Sequence, residues 1–218
     1  MTDEERAGRG PKGGMGRLAE STRQIIELLP RTTVPTETVG RAADLIEEAA
    51  RLIGEGVPEW KPKFPTSPGE YASEGFFPFS PMVGVFNPMA PPVKFEFLAD
   101  GIRGTARFGI AYQGPPGCVH GGVIAEFFDE LLGAVNMAAG NGGLTAKLTV
   151  RYRSTTPLYT DLTFEAQSLT PSGRTVHAKA SLWAGDRLCA DAEGVFVMVD
   201  REKFEEITTG SHPASQEG

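Results

Sequence analysis

One long apolar helix set inside a block of alternating strands is the feature that most narrows what this chain can fold into. From residue 93 onward the sequence reads as strands over 93–98 and 102–112, a helix over 121–139, and four more strands over 144–153, 162–169, 176–183 and 188–199. Turn signals separate them. Asp100-Gly101 carries a type I′ hairpin signal, Pro157 and the 171–173 Pro-Ser-Gly turn break the later run, and Gly185-Asp186 closes the last hairpin. Strand, strand, long helix, then four antiparallel strands is an α+β order. Because the only long apolar helix in the block is the one at 123–138, packing it against a curved antiparallel sheet is the economical way to bury both.

On a helical wheel Ile124, Phe127, Phe128, Leu131, Val135 and Ala138 form the apolar stripe of that helix, with Glu126, Asp129 and Asn136 on the far side. Asp129 therefore points away from the expected core. Its neighbours one turn to either side, Ala125 and Gly133, are small and leave room beside the carboxylate for a substrate or a water. The helix is preceded by Gly114-Pro-Pro-Gly-Cys-Val-His120-Gly-Gly122, which sets paired glycines at a helix start. The first backbone N–H groups of a helix lack internal partners and carry partial positive charge, so a carbonyl becoming an oxyanion is stabilised there. Glu126 and Glu130 share the helix and read as solvated charges.

Composition excludes several classes of function. The formal charge of −7 argues against a nucleic-acid backbone as partner. Three histidines (120, 177, 212) and two cysteines (118, 189) form no cluster with zinc spacing, so no metal or other cofactor is expected. Two cysteines without a CxxC partner read as reduced thiols of a cytoplasmic protein, with Cys189 filling core. The start of the chain lacks the order of a secretory signal, and no stretch approaches the ~18 apolar residues of a membrane span.

Residues 1–15 are polar and Gly-rich and read as a disordered tail, as do residues 201–218 at the other end. Residues 16–92 form a helical and Pro-rich extension. Its first helix runs over 16–29, with Leu18, Thr22, Ile25, Ile26 and Leu29 on one side. The second has Thr36 as N-cap, Val39, Ala42, Ala43, Ile46, Ala49, Ala50 and Ile53 as its apolar set, and Gly54 placed to stop it. Both helices are expected to cover something, and the extension as a whole is expected to lie over the sheet or a tunnel mouth. Nine of the seventeen prolines fall between Val57 and Pro92, so that stretch supplies no central strand. Trp60, Phe64, Tyr71, Phe76, Phe77 and Phe79 indicate that it packs on a surface, and Asn87, just before the first strand, reads as a turn cap or as a ligand contact.

In the 144–153 strand, alternation sets Leu144, Ala146, Leu148, Val150 and Tyr152 on one face. Thr145, Lys147, Thr149, Arg151 and Arg153 fall on the other. Three cations on one face call for an anionic neighbour. That is a ligand, or carboxylates on an adjacent strand such as Glu165.

The element order, with Tyr112-Gln-Gly-Pro-Pro-Gly-Cys-Val-His-Gly-Gly-Val-Ile-Ala-Glu-Phe-Phe-Asp129, resembles the hotdog-fold acyl-CoA thioesterases of the phenylacetate-pathway type. The nine-residue step from His120 to Asp129 and the sixteen-residue step on to Thr145 are similar to the family's. The resemblance covers roughly 80–200 and implies a hotdog domain at 93–200, a sheet of five to six strands wrapped around the helix. It also implies a homodimer or dimer of dimers with active sites at the subunit interface. It implies hydrolysis of a coenzyme A thioester by Asp129, as general base or as nucleophile. The Gly121 or Gly122 N–H polarises the carbonyl, His120 orients the loop, and Thr145 from the facing subunit helps hold the water. Gly114 stands where some members carry an Asn near the carbonyl, so either the adjacent Gln113 substitutes or the chain belongs with the branch that has Gly there, and Lys147, Arg151 and Arg153 are candidates for the coenzyme A phosphates. The alternative is a non-catalytic acyl-CoA-binding or regulatory module.

Overall fold

Alternating burial along the strands at 162–168, 175–184 and 187–198 gives a sheet one apolar face, and a helix that is apolar over most of its surface fills the hollow that face makes. The computed structural model describes residues 13–58 and 77–199. Strands β1 (Val93–Phe97), β2 (Ile102–Ala106), β3 (Gly143–Tyr152), β4 (Leu162–Ser168), β5 (Thr175–Ala184) and β6 (Arg187–Met198) form one antiparallel sheet in the order β1-β2-β4-β5-β6-β3. The central helix, here α3 (Gly121–Ala138), touches β3, β4, β5 and β6. Phe127 is fully buried and meets Phe108 and Phe164 edge-on, with ring centroids 5.6 and 5.2 Å away. Such contacts add to the burial of large apolar area.

The helix is wrapped more fully than a single stripe foresees. Leu132, Ala134 and Asn136 join the buried set, whereas Ala138 is exposed. Asn136, expected on the solvent side, is fully buried against the end of β4. There the Ser168 hydroxyl donates to Asn136 Oδ1 at 2.6 Å.

Two expectations about β2 change. The strand stops at Ala106, and residues 110–112 form a 3-10 turn, because Phe108 leaves the sheet plane to reach the core. The connection 98–101 is not a type I′ turn, since none of its residues has positive φ. Gly101 is needed there for close approach, as a Cβ would lie 2.3 Å from the Ala166 carbonyl oxygen. The β5–β6 hairpin does use its glycine conformationally: Gly185 has φ +60° in a two-residue turn between paired Ala184 and Arg187.

Helix α1 (Gly14–Leu28) begins two residues earlier than expected, runs into a 3-10 turn at Leu29–Arg31, and docks through a different face. Its buried residues are Gly16 and Ala19. On the same side Arg23 donates to the Ala90 and Asn87 carbonyls (2.8 and 3.1 Å), while Glu27 accepts from the Ile110 N–H (3.0 Å) and the Tyr159 hydroxyl (2.7 Å). Leu18, Ile25 and Leu29 face outward. Small residues allow the close approach, and polar anchors fix it.

Helix α2 (Thr36–Gly54) starts on Thr36 itself, with Pro35 at the capping position and no side-chain cap. None of its residues is buried, so its apolar stripe covers nothing among the described residues. The described part of the Pro-rich stretch has no strand, and Met82, Phe86 and Ala90 anchor it in the core. Asn87 caps a turn there, its Oδ1 accepting from the Met89 N–H at 2.9 Å. Trp60, Phe64, Tyr71, Phe76 and both expected tails but for residues 13–15 lie outside the described residues. No helix among the described residues is long and apolar enough to cross a membrane.

Candidate active site

The loop before α3 is folded back on itself. The His120 N–H donates to the Tyr112 carbonyl at 2.8 Å, the Gly114 N–H to the Cys118 carbonyl at 3.0 Å, and the Gly117 N–H to Gln113 Oε1 at 3.1 Å. Gly114 lets the two arms approach, since a Cβ there would sit 2.7 Å from His120 Cα. Gln113 and Gly114 thus shape the loop.

His120 then caps the helix. Its backbone is extended (φ −64°, ψ 136°), and its Nδ1 accepts from the Gly122 N–H at 3.0 Å. That bond requires an unprotonated Nδ1, so in the neutral ring Nε2 carries the hydrogen. It also occupies one of the two glycine donors. The Gly121 N–H has no partner among the described residues, and the Tyr152 hydroxyl donates to the Gly121 carbonyl at 2.7 Å. An aromatic on the apolar face of a strand looks like core, so no sequence pattern marks Tyr152 for this contact.

Asp129 lies in a cleft of about 470 Å³ lined by Phe77, Phe79, Gly133, Met137, Thr145 and Phe196, among others. The Thr145 hydroxyl donates to Asp129 Oδ1 at 2.9 Å within the same chain, so Thr145 is not supplied by a facing subunit. A β-bulge brings it there. The register of β3 on β6 shifts between Thr145 and Lys147, leaving Ala146 as the extra residue. Thr145 consequently lies opposite buried Phe196, on the helix side with Leu148 and Val150, rather than on the face of the cations. Strict alternation could not show this.

Glu130 also lines the cleft. Burial pushes its carboxyl above the ordinary value, the charges of Asp129 and Glu126 push the same way, and a hydrogen bond with Ser80 opposes them. It is therefore not the freely solvated charge that helix spacing suggests.

The cations sit elsewhere. Arg151 pairs with Asp191 (3.1 Å) and Glu193 (2.8 Å), and Arg153 pairs with Asp191 (2.5 Å), all on the outer face of the sheet. The two arginines hold the Asp191 carboxyl below its usual range, that of Arg153 most. The anionic neighbours are thus carboxylates of β6, not of β4. Lys147, opposite Val195, shares that outer face. His177 is exposed and Cys189 buried, as expected. No group of His, Cys, Asp and Glu among the described residues has the arrangement of a metal site.

A helix rises 1.5 Å per residue, so the start of α3 at Gly121 and the carboxylate-bearing Asp129 are about 12 Å apart along the axis. One reacting carbonyl cannot touch both in a single chain.

A helix wrapped by an antiparallel sheet, carrying a carboxylate in a cleft beside a hydroxyl, defines a hotdog-type protein. The thioesterase superfamily model matches residues 116–190. The crystal structure of a thioesterase superfamily protein superposes with a TM-score of 0.77 at 33% identity, covering 86% of this chain and 97% of that one. The chain belongs to the thioesterase superfamily. It is 31% identical over 97 residues to acyl-coenzyme A thioesterase THEM4 of Mus musculus, covering 44% of this chain and 42% of that protein. It is 32% identical over 87 residues to the THEM4 of Xenopus laevis, covering 39% of each. The chain thus spans about two fifths of the length of these curated relatives.

Proposed function

We propose that this protein hydrolyses acyl-CoA thioesters to a free acid and coenzyme A. The observation that carries the reading is the Asp129 carboxylate, oriented by the Thr145 hydroxyl at 2.9 Å and opening on a cleft whose far walls are apolar. Asp129 acts as general base: it takes a proton from water as the water oxygen attacks the thioester carbon. The carbonyl becomes an oxyanion, held by the Gly121 N–H at the positive end of α3. The C–S bond then breaks, and the proton on Asp129 passes to the leaving thiolate. Because Gly121 and Asp129 of one chain are too far apart, the amide comes from a second copy, and the active unit is a homodimer.

Asp129→Asn is isosteric and removes the base. It should lower kcat by about 10²- to 10⁴-fold while a non-hydrolysable acyl-CoA thioether binds as before, measured by a thiol-reporting assay and by calorimetry. Unchanged turnover would refute the assignment. Binding without hydrolysis by the parent protein would instead favour an acyl-CoA-binding module.

A further inference from the structure

Gly133 stands in the interior of α3, where glycine weakens a helix relative to alanine. Nothing in the backbone asks for it. Its φ is not positive, and a Cβ built there would meet no atom within 4 Å. Gly101 differs, since a side chain there would strike backbone. The space left open at Gly133 belongs to the cleft, one turn beyond Asp129.

The lining of the cleft is mixed. Asp129, Glu130, Ser80 and Thr145 are its polar members, and Phe77, Phe79, Ala134, Met137 and Phe196 its large or apolar ones. Two of these apolar side chains stand in the open, Phe79 at 59% and Met137 at 48% exposure. Ala134 and Met137, five and eight positions after Asp129, lie toward the C-terminal end of the helix, so apolar lining extends away from the helix start.

We propose that Gly133 is a specificity-determining residue: its missing side chain keeps the apolar part of the cleft open for a long or aromatic acyl group attached to the thioester at Asp129. This rests on the thioesterase reading above. An apolar chain entering there buries Phe79 and Met137 and displaces no polar partner. A side chain at 133 competes for the same space, and the larger it is, the shorter the acyl group that fits.

The test compares the parent with Gly133→Ala and Gly133→Leu on acetyl-, hexanoyl-, decanoyl- and phenylacetyl-CoA. The ratio of kcat/KM for decanoyl to hexanoyl thioester should fall by about tenfold or more in Gly133→Leu, with a smaller fall in Gly133→Ala. Gly133→Ala should also raise Tm, because it can only favour the helix, and it keeps the test decisive if the leucine variant folds poorly. Affinities of the matching non-hydrolysable thioethers, measured by calorimetry, should shift in the same order. Parallel chain-length profiles in all three proteins would overturn the inference and leave the thioesterase reading standing. A parent that hydrolyses none of the thioesters would sink that reading, while the thioether affinities would still decide the role of Gly133.

Discussion

Asp129 and Glu130 are sequence neighbours with different surroundings. Asp129 has a hydroxyl donor in Thr145, whereas Glu130 is half-buried beside two other carboxylates, with Ser80 as its hydrogen-bonding partner. A carboxyl held above its ordinary value keeps its proton in the folded chain over a pH range in which the unfolded chain has lost it. Stability therefore falls as pH rises from the ordinary value of 4.5 through the raised one, and below 4.5 both states are protonated and the contribution vanishes. Glu130→Gln removes this penalty and retains a partner for Ser80. Its Tm relative to the parent should be more favourable at about pH 8 than at about pH 4, by thermal melts across the range. A flat difference would show that Glu130 titrates alike in both states. Spacing alone could place Glu130 on the helix but not under the 77–80 segment, because that contact joins residues about fifty apart in the chain.

At the level of elements, the long periodic runs were legible and the exceptions were not. The helix at 121–138 and four late strands follow from patterns of period 3.6 and 2, which many residues support at once. One inserted residue, Ala146, reverses the face of everything before it in β3, and no local pattern marks it. The N-terminal helices show the same limit. Their apolar stripes were visible, but α1 docks through Gly16, Ala19, Arg23 and Glu27, because polar anchors on the opposing loops decided its rotation. Glu27→Ala leaves the part-buried Ile110 N–H without its acceptor, while the exposed Tyr159 hydroxyl turns to water, and Tm should fall by a few degrees in thermal melts. Ile46→Lys on α2, a residue 45% exposed, should change stability by no more than about 0.5 kcal/mol. A large loss at Ile46 would mean that the α2 face is covered in solution.

Among the described residues the sheet has an open edge at β3, and the two halves of the candidate chemistry lie about 12 Å apart along α3. These fit together if two copies exchange them, with the Asp129 of each protomer facing the Gly121 amide of its partner. Gly121→Pro isolates the amide. Proline is tolerated at the first position of a helix, and the extended backbone of His120 (φ −64°, ψ 136°) is one that a following proline accepts. The variant loses the N–H, its Cβ would meet the Tyr152 ring at an ordinary contact distance of 3.4 Å, and it should be slowed by about 10²- to 10³-fold. Mixing it with Asp129→Asn under conditions that exchange subunits then gives a sharp outcome. Half the dimers become heterodimers, each with one site free of both defects, so activity should recover to about a quarter of the parent's. If each chain built its own site, no mixture of the two variants would regain activity.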